Sequence, residues 1–188
     1  MRKINVRDLC FIAIFVAIIA VCAQIAFPLS GGVPVTLQAW AIAFAGVLLG
    51  PKKGAIAAVV YVLLGMLGAP VFAQLSGGFG VILRPTGGFL LSFPIMAYLA
   101  GIGMRRRNVA WLVFWLIAGT VVNWLWGMIH FSIVTSDSLQ AAFSAARLQF
   151  AFGAAVLPFI PIAVIRTFFV ASVGWNVRDD LRKAGVGI

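Results

Sequence analysis

The sequence predicts an all-α integral membrane protein of six transmembrane helices with both termini in the cytoplasm. Three observations carry that prediction. The first is composition. Of the 188 residues, 63% are hydrophobic and 10% charged, with a mean hydropathy of +1.12; a soluble domain is about 45–50% apolar and about 25% charged. The second is arrangement: apolar residues gather in six runs parted by short segments of glycine, proline or cations. The third is the placement of positive charge. Eleven of the 14 lysines and arginines fall in the N-terminal tip, the turn at 51–54, the turn at 104–108 and the C-terminal tail. Those four segments share one side of a six-span protein, and cytoplasmic loops are the ones that carry Lys and Arg.

Taken in order, the first run covers about residues 9–27. Its roughly 19 uncharged residues span about 30 Å of hydrocarbon as a helix. It resembles a signal peptide, but it is long, lacks a clear cleavage site and is followed by further runs, so a retained helix is expected. The second and third runs, 35–50 and 52–68, are short for a full crossing and flank the basic turn Pro51-Lys-Lys-Gly54. The fourth, 87–103, contains Pro94, whose lost hydrogen bond neighbouring helices can absorb. The fifth, 109–134, is long and rich in tryptophan. Residues 135–149 read as a polar interfacial or external loop bearing a helix. The sixth run, 150–175, is interrupted by Pro158 and Pro161. One transmembrane domain fills 1–188 and leaves no room for a soluble catalytic domain.

Two connectors stand apart. Residues 28–36 carry Pro28, Gly31, Gly32 and Pro34, and residues 68–86 carry Gly77, Gly78, Gly80 and two prolines. The second is apolar between its glycines, with Val71, Phe72, Phe79, Val81, Ile82 and Leu83. Irregular backbone near a membrane is tolerated where protein buries it or where it lines a cavity. Both connectors therefore read as gates over a ligand site, with plain external loops as the alternative.

The net charge of +10 would suggest nucleic acid in a soluble protein. Here the cations sit between apolar runs, so a bilayer is the expected partner and nucleic acid is not. Cys10 and Cys22 read as small buried residues, since their spacing suits neither a disulfide nor a metal. No paired carboxylates, nucleophile, phosphate loop or ATPase motif is present, so no catalytic residue, cofactor or metal is expected.

Three cations fall outside the cytoplasmic pattern: Arg84, Arg147 and Arg166. The four acids, Asp8, Asp137, Asp179 and Asp180, all lie outside the apolar runs. A cation at membrane depth costs on the order of 3 kcal/mol and normally has a partner. A bound carboxylate would suit the arginine fork, while snorkelling to an interface is the bland alternative. Gln38, Asn123 and Trp124 are polar or amphipathic groups within apolar runs, able to touch a ligand or one another. Ala13, Ala17 and Ala20 form a small-residue stripe on the first helix that lets another helix approach, from this chain or from a partner.

Seven motifs then fall in order: Val33-Pro-Val-Thr-Leu-Gln38, Leu48-Leu-Gly-Pro-Lys-Lys-Gly54, Tyr61-Val-Leu-Leu-Gly65, Gly68-Ala-Pro-Val-Phe-Ala73, Gly77-Gly-Phe-Gly80, Pro85-Thr-Gly-Gly-Phe89 and Leu157-Pro-Phe-Ile-Pro161. Together they resemble the BioY family, the biotin-specific substrate-binding (S) components of energy-coupling factor (ECF) transporters. The resemblance implies the six-helix S-component fold in the cytoplasmic membrane. It implies a pocket closed by the two gating loops, and a partner module of two ATPases and a transmembrane scaffold subunit. It maps scaffold contact onto Ala13, Ala17 and Ala20. It adds Phe79 and Thr86, from two of the motifs, to Arg84, Arg166, Gln38, Asn123 and Trp124 as expected ligand contacts. The chain departs from the family pattern in five places, the first being Ile162 where the family usually has a glycine. Ala163 stands where the family has an acid, Arg166 where it has a lysine, Arg84 where a small residue is usual, and Phe89 where it has a tyrosine. The departures leave biotin as the expected ligand and a related carboxylate vitamin, such as lipoate, as the alternative. A membrane scaffold protein with no ligand is the reading from another class.

Overall fold

The computed structural model describes residues 5–27, 33–106 and 108–183. Its helices are α1 (Val6–Gln24), α2 (Gln38–Leu49), α3 (Pro51–Met66), α4 (Gly87–Gly103), α5 (Val109–Val134), α6 (Leu139–Ala142), α7 (Ala145–Ala155) and α8 (Ile160–Lys183). Three helical stretches, 6–24, 109–134 and 145–180, are long and apolar enough to cross a membrane, and α2 and α4 are shorter apolar helices. At 12 residues, α2 is about 18 Å long.

Local chemistry sets the ends. Asn5 and Asp8 form a capping box on α1, which starts the helix ahead of the apolar run at 9. The run does not stay helical to 27. Ala26–Phe27 pairs antiparallel with Val35–Thr36, as β1 and β2, so this mostly helical chain carries one two-residue ladder and α2 begins at 38 rather than 35. Pro51 sits in the first turn of α3, where its missing N–H is no loss. The Asn108 side chain accepts from the Trp111 N–H and caps α5. The sixth run is not one helix. It breaks over Val156–Phe159, with Val156 at φ −126° and ψ −53° and Pro158 in a 3-10 turn. Pro161 then falls in the first turn of α8, and α8 continues to 183.

The core lies among α1 to α5 and one face of α8, with Tyr61, Phe72, Ile42, Met96 and Leu112 fully buried. Helix α4 is central and packs on α2, α3 and α5. Glycines allow the close crossings: a Cβ at Gly46 would strike the Ala97 carbonyl, and one at Gly88 would strike His130 on α5. On α1, Ile12, Val16, Ile19 and Ala23 form the buried stripe. Val6, Leu9, Ile14, Ile18 and Val21 are exposed on the same helix. A water-soluble helix would be polar there, whereas hydrocarbon solvates an apolar face without cost.

Candidate functional site

A cavity of about 240 Å³ opens where irregular segments meet helix ends. Residues 33–36 and the first turn of α2 form one wall. Phe72–Gln74, Ser76, Val81 and Arg84–Thr86 form the second, the first turns of α4 and the middle of α5 the third, and the α7–α8 break with the start of α8 the fourth. The break therefore has a structural consequence. By ending α7 it brings Phe159, Ile162, Ala163 and Arg166 to the cavity.

Arg166 is 7% exposed. Its Nη2 donates to Thr120 Oγ1 at 2.5 Å, and that hydroxyl donates to the Leu116 carbonyl at 2.8 Å. No acid among the described residues is within ion-pair reach of it. One hydroxyl leaves most of a guanidinium's five N–H donors to find acceptors elsewhere. Arg84 is the opposite case: its side chain is exposed at the rim, while its carbonyl meets His130 Nε2 at 3.2 Å. Arg147 stays off the cavity. It donates to the Thr135 carbonyl at the end of α5 and lies 5.1 Å over the Phe150 ring.

Gln38 is buried and donates through Nε2 to the Tyr61 hydroxyl at 2.7 Å, which donates to the Val71 carbonyl at 2.9 Å. Asn123 spends its amide on α4, donating to the Phe89 carbonyl at 3.0 Å and Ser92 Oγ at 2.7 Å. Asn123 can therefore offer a ligand its carbonyl oxygen, and Gln38 its carbonyl oxygen and one remaining N–H. Trp124 and Thr86 also line the cavity. Phe79 does not. It is 60% exposed, and its short 3-10 turn presents Val81 to the wall instead. Ala163 is on the wall, one helical turn from Arg166, and brings no polar atom there. On α1, Ala13 and Ala17 are exposed and Ala20 half-buried, away from the cavity. Of the gate at 28–36, residues 28–32 lie outside the described residues.

Trp40 and Phe93 line the cavity without having been singled out from sequence. Trp40 lies two residues beyond Gln38, a spacing that on a helix points to nearly the opposite side, so periodicity does not mark it. Gln24 also escaped notice, although it is the only amide in the first apolar run.

These features define a class: a helical membrane protein with a small-molecule-sized cavity whose wall carries a buried cation that no acid among the described residues pairs. The chain belongs to the BioY family, whose model matches residues 1–183. It is 37% identical to the biotin transporter BioY of Thermotoga maritima over 72% of this chain and 80% of that one. It is 30% identical to biotin transporter BioY2 of Lactococcus lactis over 93% and 91%. The probable biotin transporter BioY of Pyrococcus horikoshii is 40% identical over 64% of this chain and 74% of that one. The fold matches the crystal structure of the S-component for biotin from an ECF-type ABC transporter. The TM-score is 0.79 at 24% identity, covering 93% of this chain and 92% of that one.

Proposed function

We propose that the chain binds biotin and moves it across the cytoplasmic membrane as the S component of an ECF transporter. It is a transport component and not an enzyme. Helices α1 to α5 make five spans and α7 with α8 the sixth, with both termini in the cytoplasm. The positive-inside pattern supports that orientation. Two ATPase subunits and a transmembrane scaffold drive uptake, and the scaffold docks on the α1 face of Ala13, Ala17 and Ala20, the first two exposed and the third half-buried.

The single observation that carries the ligand reading is Arg166. It is a buried arginine without an acid partner, on the wall of a cavity suited to a small molecule. The biotin carboxylate completes it. Trp40, Phe93 and Trp124 cover the ring and chain, and the Asn123 and Gln38 carbonyl oxygens accept from the ureido N–H groups. The last assignment answers the missing acid at Ala163, because two amide oxygens supply acceptors that a carboxylate otherwise would. Titration of the purified protein with biotin and with lipoate tests this. Biotin binding at micromolar levels or below with lipoate much weaker is expected. Lipoate binding without biotin binding would overturn it.

A further inference from the structure

The wall of the cavity at 72–76 contains a strained turn, closed at its base by the Phe72 N–H donating to the Ser76 carbonyl at 3.0 Å. Gln74 has φ 59° and ψ 37°, and Leu75 has φ 53°. Two successive residues with side chains occupy the left-handed region, which disfavours any Cβ. Burial anchors only the start of the turn, where Phe72 is in the core, and not the strained residues, since Leu75 is 68% exposed. The tie comes from the last residue of α1. Gln24 Oε1 accepts from the Leu75 N–H at 2.9 Å. Its Nε2 donates to the Phe72 carbonyl at 3.1 Å and to the Ala20 carbonyl at 3.0 Å. One carboxamide therefore grips both ends of the turn and anchors them to α1. The turn in turn carries Phe72, Ala73 and Gln74 on the cavity wall.

We propose that Gln24 is a positioning residue for ligand retention, a clamp whose hydrogen bonds keep the 72–76 stretch shut against the cavity. Only the ligand arm of the test rests on the biotin reading. Gln24→Met keeps the side-chain volume and removes every polar contact, and Gln24→Ala removes both. Amide hydrogen exchange over 72–76 in the ligand-free protein, together with the biotin dissociation rate, reads the clamp. Both variants should speed exchange in that segment, and biotin dissociation, by about tenfold, while exchange in α4 and α5 stays unchanged. Should Gln24→Ala not fold, Gln24→Met decides alone. Wild-type behaviour of Gln24→Met would make Gln24 a packing residue and overturn the proposal. So would faster exchange spread equally over all helices. If the wild-type protein does not hold biotin, the biotin reading fails, and the exchange measurement still decides the clamp.

Discussion

Arg166 and Arg84 share one cavity and meet opposite physical conditions. Arg166 is buried at the start of α8 with a single hydroxyl partner, and Arg84 sits exposed at the rim on irregular backbone. A buried, unpaired charge costs several kcal/mol of desolvation, which an arriving carboxylate offsets. A solvated one costs little and gains little, because water and salt screen its attraction. On the proposed function, position in the dielectric, more than residue type, would separate the group that holds an anion from the group that steers it.

The largest expected effect is on Arg166. Its replacement by alanine should weaken biotin binding by about 3 kcal/mol, roughly 100-fold, as for loss of a buried charge-assisted pair, read by titration calorimetry. Arg166→Met should lose the same affinity yet raise ligand-free thermal stability by about 1–2 kcal/mol, because an apolar side chain replaces an uncompensated charge. A thermal midpoint that falls instead would mean that the Thr120 contact stabilises more than burial costs.

Asn123→Leu comes next. It strips the Phe89 carbonyl and Ser92 hydroxyl of a donor and removes the acceptor, so about 1–3 kcal/mol of stability and about tenfold in affinity should go together. Smallest at the site, Arg84→Ala should cost only about threefold. That loss should fall on the association rate and vanish above about 0.5 M salt. Away from the cavity, Ala17→Leu should abolish co-purification with the scaffold subunit and leave biotin affinity within about twofold, since the side chain is exposed and off the cavity wall.

Some of this was legible in the chain and some was not, for physical reasons. Helices α4 and α5 fall on their apolar runs because paired glycines, the arginine turn and the Asn108 cap mark their ends chemically. The α7–α8 break is fainter. Residues 150–165 are apolar on both sides of the break, so only Pro158 and Pro161 hint at an interruption, and prolines in membrane helices are often absorbed. The β1–β2 pair has no sequence signal at all, being two residues on each side.

At the site, charge accounting was the effective tool. Counting cations against acids isolates Arg84, Arg147 and Arg166 without any structure, and two of the three, Arg84 and Arg166, line the cavity. Polarity within apolar runs found Gln38 and Asn123, but it could not tell that both Asn123 N–H groups and one of Gln38's are already engaged. A motif named Phe79, yet motif membership says nothing of which residue a 3-10 turn points inward, and that residue is Val81. Gln24 reads as an ordinary helix end until the loop it holds is folded beside it.

The most direct test of the account is a cycle of biotin against biotin methyl ester on the wild-type protein and on Arg166→Ala. The ester keeps ring and chain and removes the charge. On the wild type it should bind about 100-fold more weakly than biotin, and on Arg166→Ala the two should bind alike. Equal binding of acid and ester to the wild-type protein would contradict the assignment of the carboxylate to Arg166.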